Sequence, residues 1–178
     1  MKKLLLSVLA VSSFMLFNSC EDGLINFNVE QSVAAGTFVI GATNDVGTTE
    51  FSETIVRLNI DSILEANGVK VADLKSVTVK SIELEILNAA TSSFDPFQSF
   101  EAILETPGLE PIIVTQYDGF PDGATMVKID GGDITEVDFK DYVAATDFQF
   151  RGNITNDQPI PEDVTLAITV NFSIKAGK

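Results

Sequence analysis

Four aspartates beside glycines are the first residues in this sequence whose type and spacing suggest chemistry. They form the pairs Asp118/Asp122 and Asp130/Asp133 in two predicted loops. Calcium prefers six to eight hard oxygen ligands, which carboxylates on loops can supply. The four aspartates are therefore weak candidates for a calcium site, and we expect no other cofactor. Their spacing does not follow the EF-hand calcium loop, and Asp-Gly is also a common turn sequence.

Paired carboxyl groups could also hydrolyse a polysaccharide. A glycosidase needs two acids roughly 5–9.5 Å apart, and a chain with 26 acidic residues brings some pair to that distance by chance. Tyr117 and Tyr142 are the plausible aromatic walls of a sugar cleft, because the chain has no tryptophan. It also has no histidine, which excludes Ser-His-Asp catalysis and His-ligated zinc. We expect a non-catalytic protein, with an acid-based hydrolase using Asp118 and Asp122 as one alternative.

The single cysteine, Cys20, lies at the end of an apolar run. Lys2 and Lys3 precede this run, which extends over residues 4–17. A positive start followed by about 7–15 apolar residues is typical of a secretory signal peptide. The run is shorter than the roughly 20 residues that a spanning helix needs. A lone thiol forms no intrachain disulfide, so its position calls for another explanation.

The segment FNSC at positions 17–20 resembles a bacterial lipoprotein signal. In that family the cysteine becomes the first mature residue and carries fatty acyl chains. The resemblance implies removal of residues 1–19, lipidation of Cys20 by chains such as palmitate, and a short tether over residues 20–23. Two or three acyl chains hold a protein stably on a membrane, whereas one holds it only marginally.

The wider order of segments also resembles a known group. ADLKSVTVKSIELEI, YDGFPDG, KDYVAATDFQFRG and EDVTLAITVNFSI together resemble small Bacteroidota-type cell-envelope lipoproteins. The resemblance implies an outer-membrane or cell-surface location, with the periplasmic face as the open alternative. Glu21 and Asp22 loosely match a surface-export signal of that group. The resemblance also implies O-glycosylation at Asp-Ser before an apolar residue, which makes Ser62 a candidate. Alternatively, Ser62 and Glu65 form a capping box at a helix start.

The charge of the mature chain limits the classes of partner. Loss of residues 1–19 removes two of the 11 basic residues and none of the 26 acidic ones, leaving a net charge of −17. Phosphate backbones require clustered Lys and Arg, so we expect no nucleic-acid partner. Anionic lipid also repels such a surface. Membrane association then depends on the acyl chains of Cys20, and the further partner is an unknown protein or glycan.

Period-two alternation dominates the rest of the chain. It is clearest over residues 164–174, where apolar and small polar residues alternate without a break. Such segments, separated by turns, predict a single domain over residues 24–178: an all-β antiparallel sandwich, Ig-like or jelly-roll-like, of about eight strands with one or two short helical turns. The helical turn is predicted over residues 61–68, ended by Gly68 in the left-handed conformation.

Three local patterns lead to more specific predictions. The apolar phase changes across Lys80-Ser81, which predicts a β-bulge or a strand buried first on one face and then on the other. Residues 25–30 and 37–40 are predicted as two strands, and residues 54–60 as a third after a loop over 41–49.

The expected function is a lipid-anchored binding, adhesion or scaffold module at the outer membrane or cell surface. Thirteen phenylalanines permit another alternative, a carrier that holds a small apolar ligand between the sheets.

Overall fold

The computed structural model describes residues 26–54, 60–66, 68–88, 92–144 and 148–177. Cys20, the signal segment and the tether lie outside these residues. The strands are β1 Asn26–Ile40, β2 Gly47–Thr54, β3 Leu74–Ile86, β4 Phe97–Glu105, β5 Ile112–Asp118, β6 Met126–Asp130, β7 Gln149–Asn156 and β8 Val164–Gly177. The helices are α1 Ile60–Ala66 and α2 Lys140–Ala144, with 3-10 turns at Val71–Asp73 and Gly131–Asp133.

The described strands form two four-stranded antiparallel sheets. Sheet 1 has the order β1-β8-β3-β6 and sheet 2 the order β2-β7-β4-β5. The first strand pairs with the last, the second with the seventh, the third with the sixth and the fourth with the fifth. This nested pairing is the topology of a jelly roll. The predicted all-β sandwich is confirmed, and its strand order is jelly-roll rather than Ig-like.

Side-chain alternation assembles the core between the sheets. In β8 every even residue from Val164 to Ile174 is buried, and Leu166, Ile168 and Phe172 are almost completely shielded from water. Burial of such side chains contributes about 1.5–3 kcal/mol each. The odd residues between them leave the opposite face of sheet 1 polar. The period-two pattern therefore defines both the core and the outer surface.

The bulge predicted near Lys80 is confirmed. The pairing of β3 with β8 shifts register between Val79 and Ser81, so Lys80 is the extra residue. Val77 and Val79 before it, and Ile82 after it, are all buried in the one core. The alternative of burial on opposite faces is wrong, because the bulge restores the phase.

β1 is one long strand rather than the two that we predicted. Its pairing with β8 shifts register between Ala34 and Gly36. The buried side chains of β1 are therefore at odd positions before the shift, as at Val29, and at even positions after it, as at Phe38 and Ile40. Gly36 has a φ of 147°, which only glycine adopts readily. The bulge lets the strand continue through a sequence whose alternation breaks.

The region between β1 and β3 corrects two further predictions. β2 begins at Gly47, inside the segment predicted as a loop, and most of the predicted strand over 54–60 lies outside the described residues. Helix α1 begins at Ile60, so Ser62 is its third residue and cannot be the predicted cap. The short helix is nevertheless confirmed, and Gly68 has the left-handed φ of 68°.

Candidate functional site: a polar groove on sheet 1

The outer face of sheet 1 carries an open groove with a volume of about 1020 Å³. Its floor is formed by outward-facing side chains of β1, β8 and β3, which follow from the alternation described above. Register places Ser32 of β1 opposite Asn171 of β8, and Asn171 opposite Ser81 of β3. Ser81 is in turn opposite Asp130 of β6. One row of short polar residues thus crosses the whole sheet.

Asn171 is the centre of a hydrogen-bond network on this floor. Its Oδ1 accepts a hydrogen bond from Ser32 Oγ at 2.5 Å, and its Nδ2 donates to Ser81 Oγ at 3.0 Å and to Glu83 Oε1 at 3.2 Å. One row away, Ser173 Oγ donates to Asn28 Oδ1 at 2.8 Å. These contacts hold the amide and hydroxyl groups in defined orientations before any ligand arrives.

One wall of the groove is the segment over residues 131–138, which leaves β6 and leads to α2. Asp138 anchors this wall, because its Oδ1 accepts hydrogen bonds from the backbone N–H of Val77 at 2.8 Å and of Lys140 at 3.0 Å. The Phe139 N–H donates to the Val77 carbonyl at 2.7 Å. The wall therefore occupies the edge of β3 beyond the end of β6.

Both signs of charge line the groove. Lys128 forms an ion pair with Asp130 at 3.5 Å, and both side chains are more than half exposed, so the pair contributes little to stability. The charged lining residues are Lys80, Lys128, Lys175, Glu30, Glu83, Asp130, Glu136 and Asp138. Hydroxyl, amide, ammonium and carboxylate groups together can donate to and accept from a polar ligand.

Exposed apolar side chains lie on the same face of sheet 1 away from the groove. Val39, Leu87 and Met126 are 65%, 52% and 60% exposed. The row formed by Thr37, Ala167, Glu85 and Met126 lies four residues along β8 from Asn171, about 13 Å at the usual strand rise. Because this row also contains the exposed polar residues Thr37 and Glu85, the apolar side chains lie singly among polar ones rather than forming a continuous patch.

The outer face of sheet 2 is also polar, but its groups bind one another. Both carboxylate oxygens of Glu101 accept hydrogen bonds, from Asn153 Nδ2 at 2.9 Å and from Gln116 Nε2 at 2.8 Å. The Arg151 guanidinium contacts Glu105 at 2.7 Å. Asn153 on β7 thus occupies the place in sheet 2 that Asn171 on β8 occupies in sheet 1, outside the groove.

The four aspartates proposed for calcium do not converge. Asp118 ends β5 and Asp122 lies in the following loop, whereas Asp130 ends β6 and Asp133 ends the 3-10 turn after it. The five residues of β6 span about 13 Å. Within the part of the chain that the structure describes, no three acidic or cysteine side chains form a group suited to a metal ion. The two loops are therefore separate turns, although Asp130 itself lines the groove.

Asp95 is an acidic residue that sequence patterns did not single out. Its Oδ1 accepts a hydrogen bond from the Gly123 N–H at 2.5 Å. This bond, assisted by the Ser93 hydroxyl, lowers the pKa of Asp95 from its ordinary value of 3.8, since both stabilise the ionised form. Phe94, the neighbour of Asp95, stacks on Phe120 of the loop that contains Gly123, with ring centroids 4.7 Å apart. Asp95 therefore anchors the loop between β5 and β6.

The two tyrosines considered as sugar-binding walls have structural contacts. Tyr142 is buried, and its hydroxyl donates to the Glu110 carbonyl at 2.5 Å. Tyr117 packs edge-on against Phe120, with centroids 5.4 Å apart. Neither ring lines the groove.

Buried phenylalanines of the described residues pack between the sheets. The largest fully buried side chains include Phe94, Phe100, Phe139, Phe150 and Phe172, and all five belong to one apolar cluster. Close-packed interiors of this kind leave few voids larger than a water molecule. The apolar content that suggested a carrier is thus used in packing the core.

The modification candidates have different positions. Ser62 is exposed on α1, and Cys20 lies outside the described residues. Among those residues, no helix has the length and apolar character needed to cross a membrane.

Fold and site together define a jelly-roll β-sandwich with a polar groove on one outer face. No protein-family model matches the chain, and no curated protein matches it. A solved structure of Desmodium yellow mottle tymovirus is similar over 95% of this chain and 97% of that chain, with 9% identity and a TM-score of 0.31. A TM-score this low carries no argument about fold or function.

Proposed function

We propose that this protein is a lipid-anchored, non-catalytic module of the cell envelope that binds a partner at the outer membrane or cell surface. The observation that carries the binding role is the groove on sheet 1. Its polar side chains are held in place by the Asn171 network, and the groove that they line is open to solvent along the face of the sheet. A preorganised surface loses less conformational entropy on binding than a mobile one.

The anchoring role is supported by sequence. The FNSC segment places Cys20 only six residues before β1 begins at Asn26. Acyl chains on Cys20 would hold the folded domain close to a membrane without a spanning segment, while the net charge of the mature chain opposes direct adhesion to anionic lipid. The adhesion and scaffold roles differ from simple binding only in the partner engaged.

Anchor and groove can be tested separately in the same cells. The wild-type chain should be labelled by a palmitate analogue and sediment with membranes, whereas Cys20→Ser should be unlabelled and soluble. A chain that is unlabelled and soluble with Cys20 intact would contradict the anchoring role. Crosslinking on intact membranes should capture a partner that Asn171→Ala fails to capture and Asn153→Ala retains. Equal capture by both variants would place binding outside the groove.

A further inference from the structure

We infer that the ligand of the groove is a hydroxyl-rich chain of neutral character, an oligosaccharide. This inference rests on the proposed function and adds the chemical class of its ligand. It follows from the hydrogen-bonding capacity left after the internal network is counted, from the mixed charge of the lining, and from the part of the sheet that forms the floor.

The network leaves both donors and acceptors for a ligand. A hydroxyl has one donor and two acceptor sites. Ser32 is exposed and uses its donor on Asn171, so its oxygen keeps acceptor capacity. Asn28 is also exposed, and within the described residues its amide nitrogen donates no hydrogen bond, so it keeps two donors. Ser81 and Ser173 are only 4% and 1% exposed and therefore support the floor rather than meet the ligand. A ligand hydroxyl both donates and accepts, so it can pair with the Ser32 oxygen or with the Asn28 amide nitrogen.

The charge of the lining argues against a strongly charged ligand. Three lysines are interspersed with five carboxylates in the groove. The excess of carboxylates repels a polyanion, and the lysines interrupt the negative surface that a polycation would need. Neutral hydroxyls bind well to either charged group, because a hydrogen bond with one ionised partner is stronger than one between neutral groups.

The geometry of the floor favours a glycan over a peptide. One recurring way in which an extended peptide binds is to add a strand to a free sheet edge, where backbone groups are available. Here the floor is the face of the sheet, and β8 is already paired with β1 on one side and β3 on the other. Side chains rather than backbone groups therefore meet the ligand. A groove of about 1020 Å³ that is open to solvent also suits a chain that passes along it better than an enclosed small molecule.

The test uses the full chain purified in detergent. It is screened against neutral oligosaccharides, acidic oligosaccharides and peptides, and hits are measured by isothermal titration calorimetry. We expect a neutral oligosaccharide to bind with weak salt dependence. Asn171→Ala should weaken binding about tenfold or more, as expected when a group that orients several hydrogen bonds is lost. Asn153→Ala on sheet 2 should bind like the wild type.

Each remaining outcome has a distinct meaning. A peptide hit that depends on Asn171, with no oligosaccharide hit, would overturn the ligand class and leave the proposed binding function standing. A hit confined to acidic oligosaccharides whose affinity collapses with salt would also overturn it. An oligosaccharide hit unaffected by Asn171→Ala would place the sugar elsewhere. If Asn171→Ala does not fold by circular dichroism, the exposed Ser32→Ala replaces it, with an expected loss of severalfold. Absence of any ligand, together with absence of crosslinked partner on membranes, would remove both proposals.

Discussion

Gly152 in β7 gives the sharpest stability prediction, because the ring of Phe51 occupies the space where a side chain would be. The two residues are directly opposite in the β2–β7 pairing. A Cβ at position 152 would lie 2.2 Å from Phe51 Cε2 and 2.4 Å from Cζ, which is far inside van der Waals contact. The Phe51 ring also contacts Phe38, with centroids 4.4 Å apart. Gly152→Ala therefore forces this ring to move.

The magnitude follows from the two contributions that the movement disturbs. Overpacking usually costs about 1–3 kcal/mol, and loss of the Phe38–Phe51 contact would account for about 0.5–1.5 kcal/mol of that. Glycine-to-alanine replacement in a strand otherwise gains about 0.5–1 kcal/mol. We expect a net destabilisation of about 1–2 kcal/mol, which in a domain of this size lowers the Tm by roughly 2–8 °C.

Urea denaturation of the purified variants measures this effect. Gly47→Ala is the matched control, because Gly47 lies in the same ladder opposite Asn156 and a Cβ there would meet nothing within 4 Å. It should be neutral or slightly stabilising. In the background of Phe51→Ala the destabilisation by Gly152→Ala should vanish, giving a coupling free energy of about 1 kcal/mol or more. If Gly152→Ala matches Gly47→Ala, or if its effect persists without the Phe51 ring, the steric explanation is wrong.

Three further predictions concern a loop, a wall and the core. Asp95→Asn should lower the urea midpoint at pH 7, because the Gly123 N–H lowers the pKa of Asp95 below 3.8 and the ionised carboxylate therefore stabilises the fold above that pH. The difference in midpoint between variant and wild type should disappear as the pH falls through the lowered pKa. A difference that grows on acidification would contradict this explanation. Asp138→Ala should cost about 0.5–2 kcal/mol by leaving the Val77 N–H without its acceptor and uncapping α2, whereas Asp138→Asn should lose less, both measured by urea denaturation. Leu84→Ala, at a fully buried position, should cost about 2–5 kcal/mol, and a thermal melt unchanged from wild type would show that the core is not packed as described.

Much of the fold was predictable because alternation is a local signal. β8 follows the sequence pattern closely, and the bulge at Lys80 was readable from the change of phase alone. β1 was not predicted as one strand, because Gly36 in a strand looks like a break until its partner β8 is known. β2 was missed because GTTEFSET lacks a clear apolar alternation, and its place depends on pairing with β7.

The groove could not be predicted for a related reason. Asn171 and Ser173 were recognisable as the small polar face of β8, but Ser32 and Ser81 lie 139 and 90 residues away from Asn171. Only the register of three strands brings these groups together, and register is set by the tertiary fold rather than by any one segment. The aspartates near glycines were conspicuous in the sequence for the opposite reason, because a turn is formed by residues that are adjacent in sequence.

The nested strand order connects the groove to the proposed anchor. Asn26 at the start of β1 is opposite Gly177 at the end of β8, and Asn28 already lines the groove. Asn28 is eight positions after Cys20, so the extended chain between them spans at most about 28 Å. If Cys20 is acylated, this end of the groove is held within that distance of the membrane.

A ligand displayed on the same membrane then benefits from a high effective concentration, which falls as the tether lengthens. Inserting about 20 Gly/Ser residues after Asp22 adds a flexible span of roughly 25 Å. We expect this insertion to leave the calorimetric affinity for a free oligosaccharide unchanged and to reduce crosslinking to the envelope partner in intact cells. The same insertion in the Asn171→Ala background should change nothing further, because the groove is already impaired. Undiminished crosslinking by the lengthened chain would show that the partner approaches from outside rather than from the membrane that holds the anchor.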